Sequence, residues 1–401
     1  MLPLSGLRVL DITKFIAGPL CTQYLGAMGA EVLKIEDPDG GDGTRGMPPF
    51  IGNDGATYLA MNCNKRSLAI DLKTEQGRQI VYEIAATSDI VVESLAPGAA
   101  DKLGVGWEAL AKINPRIIYC AISGFGRSGP LGSQPGYEVM MQAFTGLMSV
   151  TGEPNSDPLR VGFSPLDQTT GLHALTGVLA ALRIRDTTGT SNYIEVSLYE
   201  TAAALLGWHA QSYWIDGKLP ERCGSRHASL CPYQAFAASD GLIVIAVGSE
   251  HLWRRFCAAT DLMDMCDDPR FRTNVDRVSH YEETIDRIQA RIITQTVAHW
   301  TATLSEYRIP NAPVNTLETM LQHPQTEARG IILNFDHPVG GRMHAVAHPV
   351  VFGGRSREVL RPPPLLGEHT VEVLAELGYG TDSISQLKNN NVIRTQETGS
   401  F

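Results

Sequence analysis

The chain has 401 residues, of which 43% are hydrophobic and 19% are charged. This length predicts two compact units rather than one, and the composition is typical of a globular protein. The formal net charge is -10 and no basic stripe with interleaved aromatic residues is present, which argues against a nucleic-acid binder. No apolar run reaches the roughly 18 residues that a membrane span needs, so we expect the partner to be a small molecule.

Short β-rich runs alternate with helical patterns in the first half of the chain. The predicted strands are Arg8–Ile12, Val32–Ile35, Ser67–Asp71, Asp89–Val92 and Arg116–Ile122. The predicted helices are Leu20–Met28, Gln76–Ala86 and Trp107–Ile113. Strands separated by helices indicate crossover connections, so we predict an α/β unit with a mainly parallel sheet covered on both faces.

The pattern changes after a strand-like run at Tyr193–Val196. The segment Thr201–Asp216 predicts one long apolar helix, and Tyr233–Ala238 with Leu242–Val247 predicts a hairpin. Helices are also predicted over Glu250–Ala259, Tyr281–Tyr307 and Thr370–Leu377, and a β-rich stretch over Met343–Phe352. The second half therefore predicts a smaller α+β unit.

The cysteines indicate the redox environment. They are scattered, odd in number and without CxxC spacing: Cys21, Cys63, Cys120, Cys223, Cys231, Cys257 and Cys266. This usage is typical of a reduced cytoplasmic protein and predicts neither a disulfide framework nor a metal site. Because strand-forming sequence begins at Arg8, we also expect no leader peptide.

Asp167 is one of few carboxylates in the apolar, glycine-punctuated stretch 162–182. Pro165 precedes it and leucines follow at helical spacing, which predicts a buried helix whose first turn carries the acid. Two interpretations are open. Asp167 either caps the helix as its N-cap or is a nucleophile that the positive end of the helix keeps ionised.

Residues 124–129 match the pattern GxGxxG after a predicted strand. Two prolines and two glycines follow within 130–136, and they prevent the helix whose N-terminus would hold a pyrophosphate. We predict a glycine-rich loop that either approaches a ligand closely or forms a surface turn.

A series of short segments resembles the class III CoA-transferase family, in the family's order and over nearly the whole chain. The segments are Val9–Ile12, Ala17–Pro19, Gly29–Glu36, Gly41–Arg45, Asn64–Ser67, Pro97-Gly98, Gly136-Tyr137-Glu138, Asp167, Pro232–Phe236 and Pro364–His369. The family includes formyl-CoA:oxalate and succinyl-CoA:dicarboxylate transferases and the α-methylacyl-CoA racemases.

The resemblance implies a Rossmann-like large domain, a smaller α+β domain and an interlocked homodimer of two ring-shaped protomers. The large CoA-binding domain is expected at residues 1–200, a linker helix at 201–223 and the small domain at 224–318. A returning linker is expected at 319–345, and the C-terminal part of the large domain at 346–401.

The resemblance also implies that Asp167 is the nucleophile of CoA transfer. An aspartate with an ordinary pKa of about 4 is ionised at neutral pH and needs no separate base. The implied intermediates are a mixed anhydride and an aspartyl-CoA thioester, so neither ATP nor a metal is required. We expect CoA to move from succinyl-CoA to a small dicarboxylic acid.

Tyr137 separates two chemistries within the family. Racemases carry a Gly-His-Asp sequence that supplies a second base, whereas this chain has Gly136-Tyr137-Glu138. A phenol with a pKa of about 10 is a poor base at neutral pH but donates hydrogen bonds, so a transferase is favoured, with Tyr137 and Glu138 as candidate catalytic residues. The alternatives are a packed aromatic role for Tyr137, an α-methylacyl-CoA racemase and a catalytically silent CoA-binding protein.

Coenzyme A contacts can be carried over by position. They are Lys14, Phe15, Ile16 and Ala17 after the first strand; Ile70, Asp71, Leu72 and Lys73; Ser94, Leu95 and Ala96; and Lys102 and Leu198. Formyl-CoA transferases have glutamine where Ile16 stands, which argues against an oxalate acceptor. Relatives often have arginine at Lys102 and after the equivalent of Glu36, where this chain has Asp37, and these departures weaken the expected phosphate contacts.

A last segment, Gly224-Ser225-Arg226-His227, resembles the flexible loop that closes over the aspartate in transferases. Gly224 is therefore a candidate catalytic residue. Arg226, His227 and Arg45 are candidates for pairing with the distal carboxylate of the acceptor through charge-assisted hydrogen bonds. The alternative is that they are surface residues of loops.

Overall fold

The computed structural model describes residues 2–354 and 356–396. The strands are β1 (Arg8–Ile12), β2 (Glu31–Glu36), β3 (Phe50–Ile51), β4 (Asp54–Gly55), β5 (Arg66–Ile70), β6 (Ile90–Glu93), β7 (Ile118–Ser123), β8 (Asn192–Ser197), β9 (Tyr233–Ala237), β10 (Leu242–Ala246), β11 (Asn311–Pro313), β12 (Ile332–His337), β13 (Gly341–Val346) and β14 (Ile393–Arg394). The helices are α1 (Ala17–Ala27), α2 (Ala56–Met61), α3 (Glu75–Ala86), α4 (Ala99–Lys102), α5 (Trp107–Ile113), α6 (Glu138–Phe144), α7 (Pro165–Thr188), α8 (Leu198–Leu205), α9 (Gly207–Asp216), α10 (Glu250–Thr260), α11 (Met263–Asp267), α12 (Asn274–Ser279), α13 (Tyr281–Ile292), α14 (Val297–Glu306), α15 (Leu317–Leu321), α16 (Pro324–Ala328), α17 (Thr370–Glu376) and α18 (Thr381–Asn389). Short 3-10 turns cover Gly43–Gly46 and Met148–Val150.

The chain divides into two compact units. The first comprises 1–147, 160–217 and 325–401, and the second comprises 148–159 and 218–324. The domain boundaries expected from the resemblance stay a prediction. None of the helices in the described part of the chain combines the length and the hydropathy that a membrane span needs.

A seven-stranded sheet of order β14-β5-β2-β1-β6-β7-β8 forms the centre of the first unit. All neighbouring strands pair in parallel except β14, which runs antiparallel to β5 at the edge. The predicted α/β unit with a mainly parallel sheet is therefore confirmed. The chain runs outward from β1 to β2 and β5 and then crosses to the other side of β1 as β6. Ligands of open α/β sheets bind outside the carboxyl ends of the strands at such a switch point.

Both faces of this sheet are buried. Successive side chains of a strand point to opposite faces, and both faces carry apolar residues. Leu10 and Ile12 of β1 belong to one core, which α3, α5, α17 and α18 cover, whereas Val9 belongs to the other, which α1, α7 and α8 cover. Helices on both faces are what crossover connections between parallel strands produce.

Helix α7 is fixed by sequence signals at both ends. Ser164 is its N-cap, Pro165 is its first residue, and Gly189 ends it in the left-handed conformation with a φ of +74°. Proline suits the first helical position because its missing N–H needs no partner there, and glycine suits the left-handed end.

The C-terminal segment completes the first unit. The Gly367 N–H donates to Ser67 Oγ at 3.0 Å, and the Ala69 N–H donates to Thr370 Oγ1 at 3.1 Å. Gly367 has a φ of +69°, and a Cβ there would lie 2.7 Å from the carbonyl oxygen of Arg394. The glycine in Pro364–His369 is thus required by backbone conformation and by close packing.

The second unit contains the predicted hairpin, with β9 antiparallel to β10 and β11 added on the far side of β10. Its core packs around Trp253, Phe256 and Trp300. In the first unit, the prediction of one helix over Thr201–Asp216 is wrong, because α8 and α9 are separated at Leu206.

Candidate active site

Asp167 is the third residue of α7 and is half-buried. Because Ser164 occupies the N-cap position, the interpretation of Asp167 as the N-cap is wrong. No hydrogen bond reaches its carboxylate from the residues that the structure describes. The side chain has no capping role, which leaves it available for chemistry.

The environment of Asp167 disfavours its negative charge. Burial, and secondarily the neighbouring carboxylate of Glu138, raise the pKa of Asp167 to about 7. The expectation of an ordinary pKa of about 4 is therefore corrected, since the sequence did not show how far the helix end is desolvated. A carboxylate with such a pKa is half ionised at neutral pH, and raised values of this kind are typical of functional sites.

Glu138 begins α6 and is 8% exposed. Its Oε1 accepts a hydrogen bond from Gln142 Nε2 at 2.7 Å, and Gln142 Oε1 accepts one from the Val161 N–H at 2.9 Å. This chain of contacts ties Glu138 to the segment that leads into α7. Tyr137, the preceding residue, is 61% exposed, which argues against a purely packing role for its ring.

The loop after β1, residues 13–16, together with Ala17 at the start of α1, is hereafter the β1 loop. The ring of Phe15 meets that of Tyr137 edge-on at 6.0 Å between centroids. One turn after Asp167, Gly171 lies so close to α1 that a Cβ there would be 2.5 Å from the carbonyl oxygen of Ala17. The structure thus brings together the β1 loop, Tyr137, Glu138 and Asp167, which were predicted from separate parts of the sequence.

The segment after β6 joins this group. Ser94 Oγ accepts a hydrogen bond from the Lys14 N–H at 2.9 Å, and this contact lies at the switch point between β1 and β6. Leu95 packs partly against the sheet core and Ala96 is exposed. Two of the predicted CoA segments are therefore adjacent.

Other predicted CoA contacts differ in their placement. Asp71 Oδ1 accepts from the Lys73 N–H at 2.9 Å and Leu72 packs partly against the core, while Lys73 and Lys102 are exposed. Ile70 and Leu198 are 1% and 5% exposed and belong to the two sheet cores. Side chains at that depth offer almost no surface to a ligand, so a contact of Ile70 or Leu198 with CoA would have to come from the backbone, and these two roles stay predictions.

Arg45 is held inside the first unit. It is 4% exposed, and its guanidinium donates to Glu36 at 2.8 Å and to the carbonyl oxygen of Pro364 at 3.1 Å, and pairs with Asp54 at 2.5 Å. It also lies 3.6 Å from the centroid of the Tyr58 ring. With its donors engaged by its own chain, Arg45 is a structural residue, and the prediction that it binds the acceptor is corrected.

The predicted loop at Gly224 belongs to the second unit. Gly224 has a φ of +59°, and a Cβ there would lie 2.5 Å from Glu153 Oε2. The guanidinium of Arg226 stacks 4.5 Å from the centroid of the Tyr281 ring, and the His227 N–H donates to the carbonyl oxygen of Tyr233 at 2.9 Å. The roles of Gly224, Arg226 and His227 toward a substrate stay predictions.

Two residues that sequence reasoning missed support the β1 loop. Asp42 accepts a hydrogen bond from the Phe15 N–H, and Lys34 donates one to the carbonyl oxygen of Thr13. The signal was present at Asp42, because an aspartate between glycines and before threonine is typical of a turn in which the side chain caps the backbone.

A family model described as CoA-transferase family III matches residues 4–370. The chain belongs to this family. This family III CoA-transferase is 36% identical over 398 residues to succinyl-CoA:glutarate CoA-transferase of Homo sapiens, covering 99% of this chain and 91% of that protein. It is 35% identical over 382 residues to succinate–glutarate CoA-transferase of Agrobacterium fabrum, covering 94% of this chain and 96% of that protein.

Among solved structures, a CaiB/BaiF family protein from Brucella suis is similar to this family III CoA-transferase. The TM-score is 0.84 at 33% identity, and the match covers 94% of this chain and 99% of that chain. The resemblance found in the sequence is confirmed, and the chain is an enzyme of the CoA-transferase class.

Proposed function

We propose that Asp167 is the nucleophile of an enzyme that moves CoA from succinyl-CoA to a small dicarboxylic acid. The observation that carries this proposal is a half-buried carboxylate near Glu138, free of capping bonds and with a pKa raised to about 7, on a helix whose Gly171 packs against Ala17 of the β1 loop. A partly desolvated carboxylate is a better nucleophile than a fully hydrated one.

The proposed reaction proceeds by four acyl exchanges. A carboxylate oxygen of Asp167 attacks the thioester carbonyl carbon of the donor, the C–S bond breaks, and the CoA thiolate leaves a mixed anhydride. The thiolate attacks the aspartyl carbonyl and releases the donor acid as its carboxylate. The acceptor carboxylate then attacks this aspartyl-CoA thioester and expels the thiolate, which finally takes the acceptor acyl group and frees Asp167. Each step exchanges one activated acyl bond for another.

The roles of the neighbouring residues follow from their positions. Tyr137 is exposed and precedes α6, so its hydroxyl is free to donate to an anhydride oxygen. Glu138 disfavours the ionised form of Asp167, secondarily to burial. We propose that the β1 loop and residues 94–96 hold the acyl-CoA. The pairing of Arg226 or His227 with the distal carboxylate of the acceptor stays a prediction from the resemblance.

The relatives support the choice of donor and acceptor. The human and Agrobacterium fabrum proteins are named as succinate or succinyl-CoA enzymes that use glutarate, and a Haloarcula hispanica protein 34% identical over 400 residues is named succinyl-CoA:mesaconate CoA-transferase. The acids in these names are dicarboxylic. We therefore expect activity with dicarboxylates of this size. A protein of Acetobacter aceti that is 35% identical over 362 residues is named acetyl-CoA:oxalate CoA-transferase, so the argument against oxalate rests on Ile16 alone.

The decisive experiment incubates the protein with succinyl-CoA and a panel of dicarboxylic acids in deuterated water. We expect new CoA esters of the acceptor without deuterium at the α-carbon; α-deuteration without transfer would instead indicate a racemase. Hydroxylamine added with the donor alone should leave a hydroxamate at Asp167. CoA binding with neither product would indicate a silent CoA-binding protein and overturn the proposal.

Variants at Asp167 sharpen this test. Asp167→Asn and Asp167→Ala should each lower kcat by roughly a thousandfold or more, as removal of a nucleophile does. Asp186→Asn is the matched control, because it removes an exposed aspartate from the same helix and should leave turnover unchanged. Native turnover by the alanine variant would contradict the nucleophilic role.

We also propose that the chain forms the interlocked homodimer that the resemblance implies, in a reducing cytoplasmic compartment. Large apolar side chains are exposed near α9, with Trp214 at 72%, Ile215 at 77% and Leu219 at 77%, and such surfaces mark protein contacts. The seven cysteines are free thiols. Light scattering should give twice the mass of one chain, and a monomer at micromolar concentration would contradict the dimer.

A further inference from the structure

The β1 loop has an unusual backbone at Phe15. This residue has a φ of +67°, in the left-handed region that residues with a Cβ seldom occupy. Such a conformation persists only where the surrounding structure imposes it. The residues that impose it should therefore be identifiable.

Asp42 makes the contact that fixes this conformation. It is 1% exposed, and its Oδ1 accepts from the Phe15 N–H at 3.1 Å, from the Thr44 N–H at 3.0 Å and from Thr44 Oγ1 at 2.9 Å. Its Oδ2 lies 3.1 Å from Lys34 Nζ. Although burial disfavours the charge, Lys34 and these hydrogen bonds hold the pKa of Asp42 below its usual value, so the carboxylate is ionised at neutral pH.

The two preceding residues of the loop are also held. Lys34 Nζ, which is fully buried, donates to the carbonyl oxygen of Thr13 at 2.8 Å, and the Lys14 N–H donates to Ser94 Oγ. The ion pair between Asp42 and Lys34 thus holds both ends of the three-residue turn from Thr13 to Phe15.

The side chain of Phe15 connects this turn to the candidate catalytic residues. It is 37% exposed and contacts the ring of Tyr137 edge-on. It also packs over Gly43, where an added Cβ would lie 3.2 Å from Cε1 of the ring. A change in the backbone at Phe15 would therefore move an exposed ring that borders Tyr137.

We propose that Asp42 is a positioning residue for acyl-CoA binding, because its carboxylate, paired with Lys34, imposes the left-handed turn that presents Phe15 beside Tyr137. This proposal rests on the proposed function, since it assigns the β1 loop to the acyl-CoA. Asp42 itself is buried and acts through Phe15 rather than by touching the substrate.

A double-mutant cycle separates positioning from simple stabilisation. Asp42→Asn keeps an oxygen acceptor for the Phe15 N–H but removes the charge paired with Lys34; we expect KM for succinyl-CoA, and Kd for coenzyme A by calorimetry, to rise about tenfold with a smaller change in kcat. In a Phe15→Gly background, glycine adopts the left-handed conformation without strain, so the turn no longer depends on Asp42. Adding Asp42→Asn to that background should therefore raise Kd by less than about threefold. Equal effects of Asp42→Asn in both backgrounds would overturn the proposal.

Two further variants distinguish weaker CoA binding from lower stability of the fold. Gly43→Ala leaves the ion pair intact and displaces only the Phe15 ring, so it should raise Kd while the Tm stays near that of the wild type. Asp89 lies just before the amino end of β6 and forms an ion pair with Arg185 at 3.0 Å. Asp89→Asn breaks this pair and should lower Tm without changing Kd. An unchanged Kd for Gly43→Ala, or a rise in Kd for Asp89→Asn equal to that for Asp42→Asn, would contradict positioning.

The failure of this proposal can be told from failure of the proposed function. Absence of transfer by the wild type would remove the proposed function, yet the calorimetric Kd values would still test whether Asp42 positions the loop. Conversely, an active wild type whose Asp42→Asn variant keeps the native KM and Kd would remove the positioning role alone.

Discussion

The carboxyl group of Asp167 lies in a setting that favours its protonated form. Burial is the larger cause of the raised pKa, and the nearby Glu138 carboxylate is the smaller one. An acyl-CoA that binds beside it therefore meets a nucleophile whose ionisation depends on pH in the neutral range. This property belongs to two residues and can be tested by changing either.

The first prediction is a pH dependence of activity. Because the ionised form of Asp167 is the nucleophile, kcat/KM for succinyl-CoA should rise with pH through a midpoint of about 7. Glu138→Gln removes the neighbouring charge while keeping an oxygen that accepts from Gln142, so the midpoint should move to lower pH. Profiles recorded from about pH 5 to about pH 9 test this, and identical midpoints in the two proteins would contradict it.

The second prediction concerns stability. A folded-state pKa of about 7 against a usual value of 3.8 means that the folded state holds the proton more tightly, so stability is lost as pH rises through this window. Asp167→Asn should therefore be more stable than the wild type above pH 7 and similar to it at pH 4. Each pKa unit is worth about 1.4 kcal/mol, so the free energy of unfolding of the variant should exceed that of the wild type by at most about 4 kcal/mol. The difference should be smaller than this limit, because solvent screens a half-buried side chain. Urea unfolding at both pH values measures it, and an equal difference at both would contradict the linkage.

The identity of site residues could be predicted from sequence, but their burial could not. Asp167, Tyr137, Glu138 and Lys14 were all selected from short motifs, and they lie in or beside one group. Arg45 was selected by the same reasoning and is buried with Glu36 and Asp54. A charged residue in a motif looks the same in a sequence whether it pairs with a ligand or with its own chain.

At the level of elements, buried parallel strands were predicted most accurately. β1, β2, β5, β6 and β7 begin and end within two residues of their predicted limits, because strands covered on both faces are rich in Val, Ile and Leu. The short strands β11 and β14 and the helix α18 were not predicted. They contain few apolar residues, and neighbouring elements determine their conformation more than local sequence does.

The third prediction tests the contact between α1 and α7. Gly171→Ala places a methyl group 2.5 Å from the carbonyl oxygen of Ala17, so the helices must separate, at a cost of about 1 to 3 kcal/mol in the free energy of unfolding. Gly207→Ala is the control, since nothing lies within 4 Å of a Cβ at this helical glycine; it should leave stability equal or slightly higher. Thermal unfolding that ranks the two variants in the opposite order would show that the helices tolerate separation.

At the scale of the molecule, the two units differ in how their cores are assembled along the chain. The core of the second unit lies entirely within residues 236–309. One core of the first unit joins Leu10 of β1 to Leu374 of α17 and Ile393 of β14. Sequence periodicity predicted two units but not this closure, which only the resemblance implied, because pairing over such a separation leaves no local pattern.

The fourth prediction follows from this difference. A fragment of residues 218–324 should fold by itself. Its circular dichroism should show native-like helix content, and the fluorescence emission of Trp253 and Trp300 should be that of buried tryptophans. A fragment of residues 1–217 should aggregate, because it lacks α17 and α18, which cover part of one face of the sheet, and β14, which pairs with its edge strand β5. A soluble, cooperatively unfolding 1–217 fragment, or an unfolded 218–324 fragment, would contradict this account of the cores.

The position of β14 has a consequence for biosynthesis. Ile393 pairs with Ile70, so a ribosome must translate more than three hundred further residues before the nascent β5 acquires its outer neighbour. Throughout that interval an apolar strand edge is open to other polypeptides, a state that chaperones recognise. A stop codon between α18 and β14 should therefore leave this edge of β5 without its partner, although nearly all of the remaining sheet has been translated.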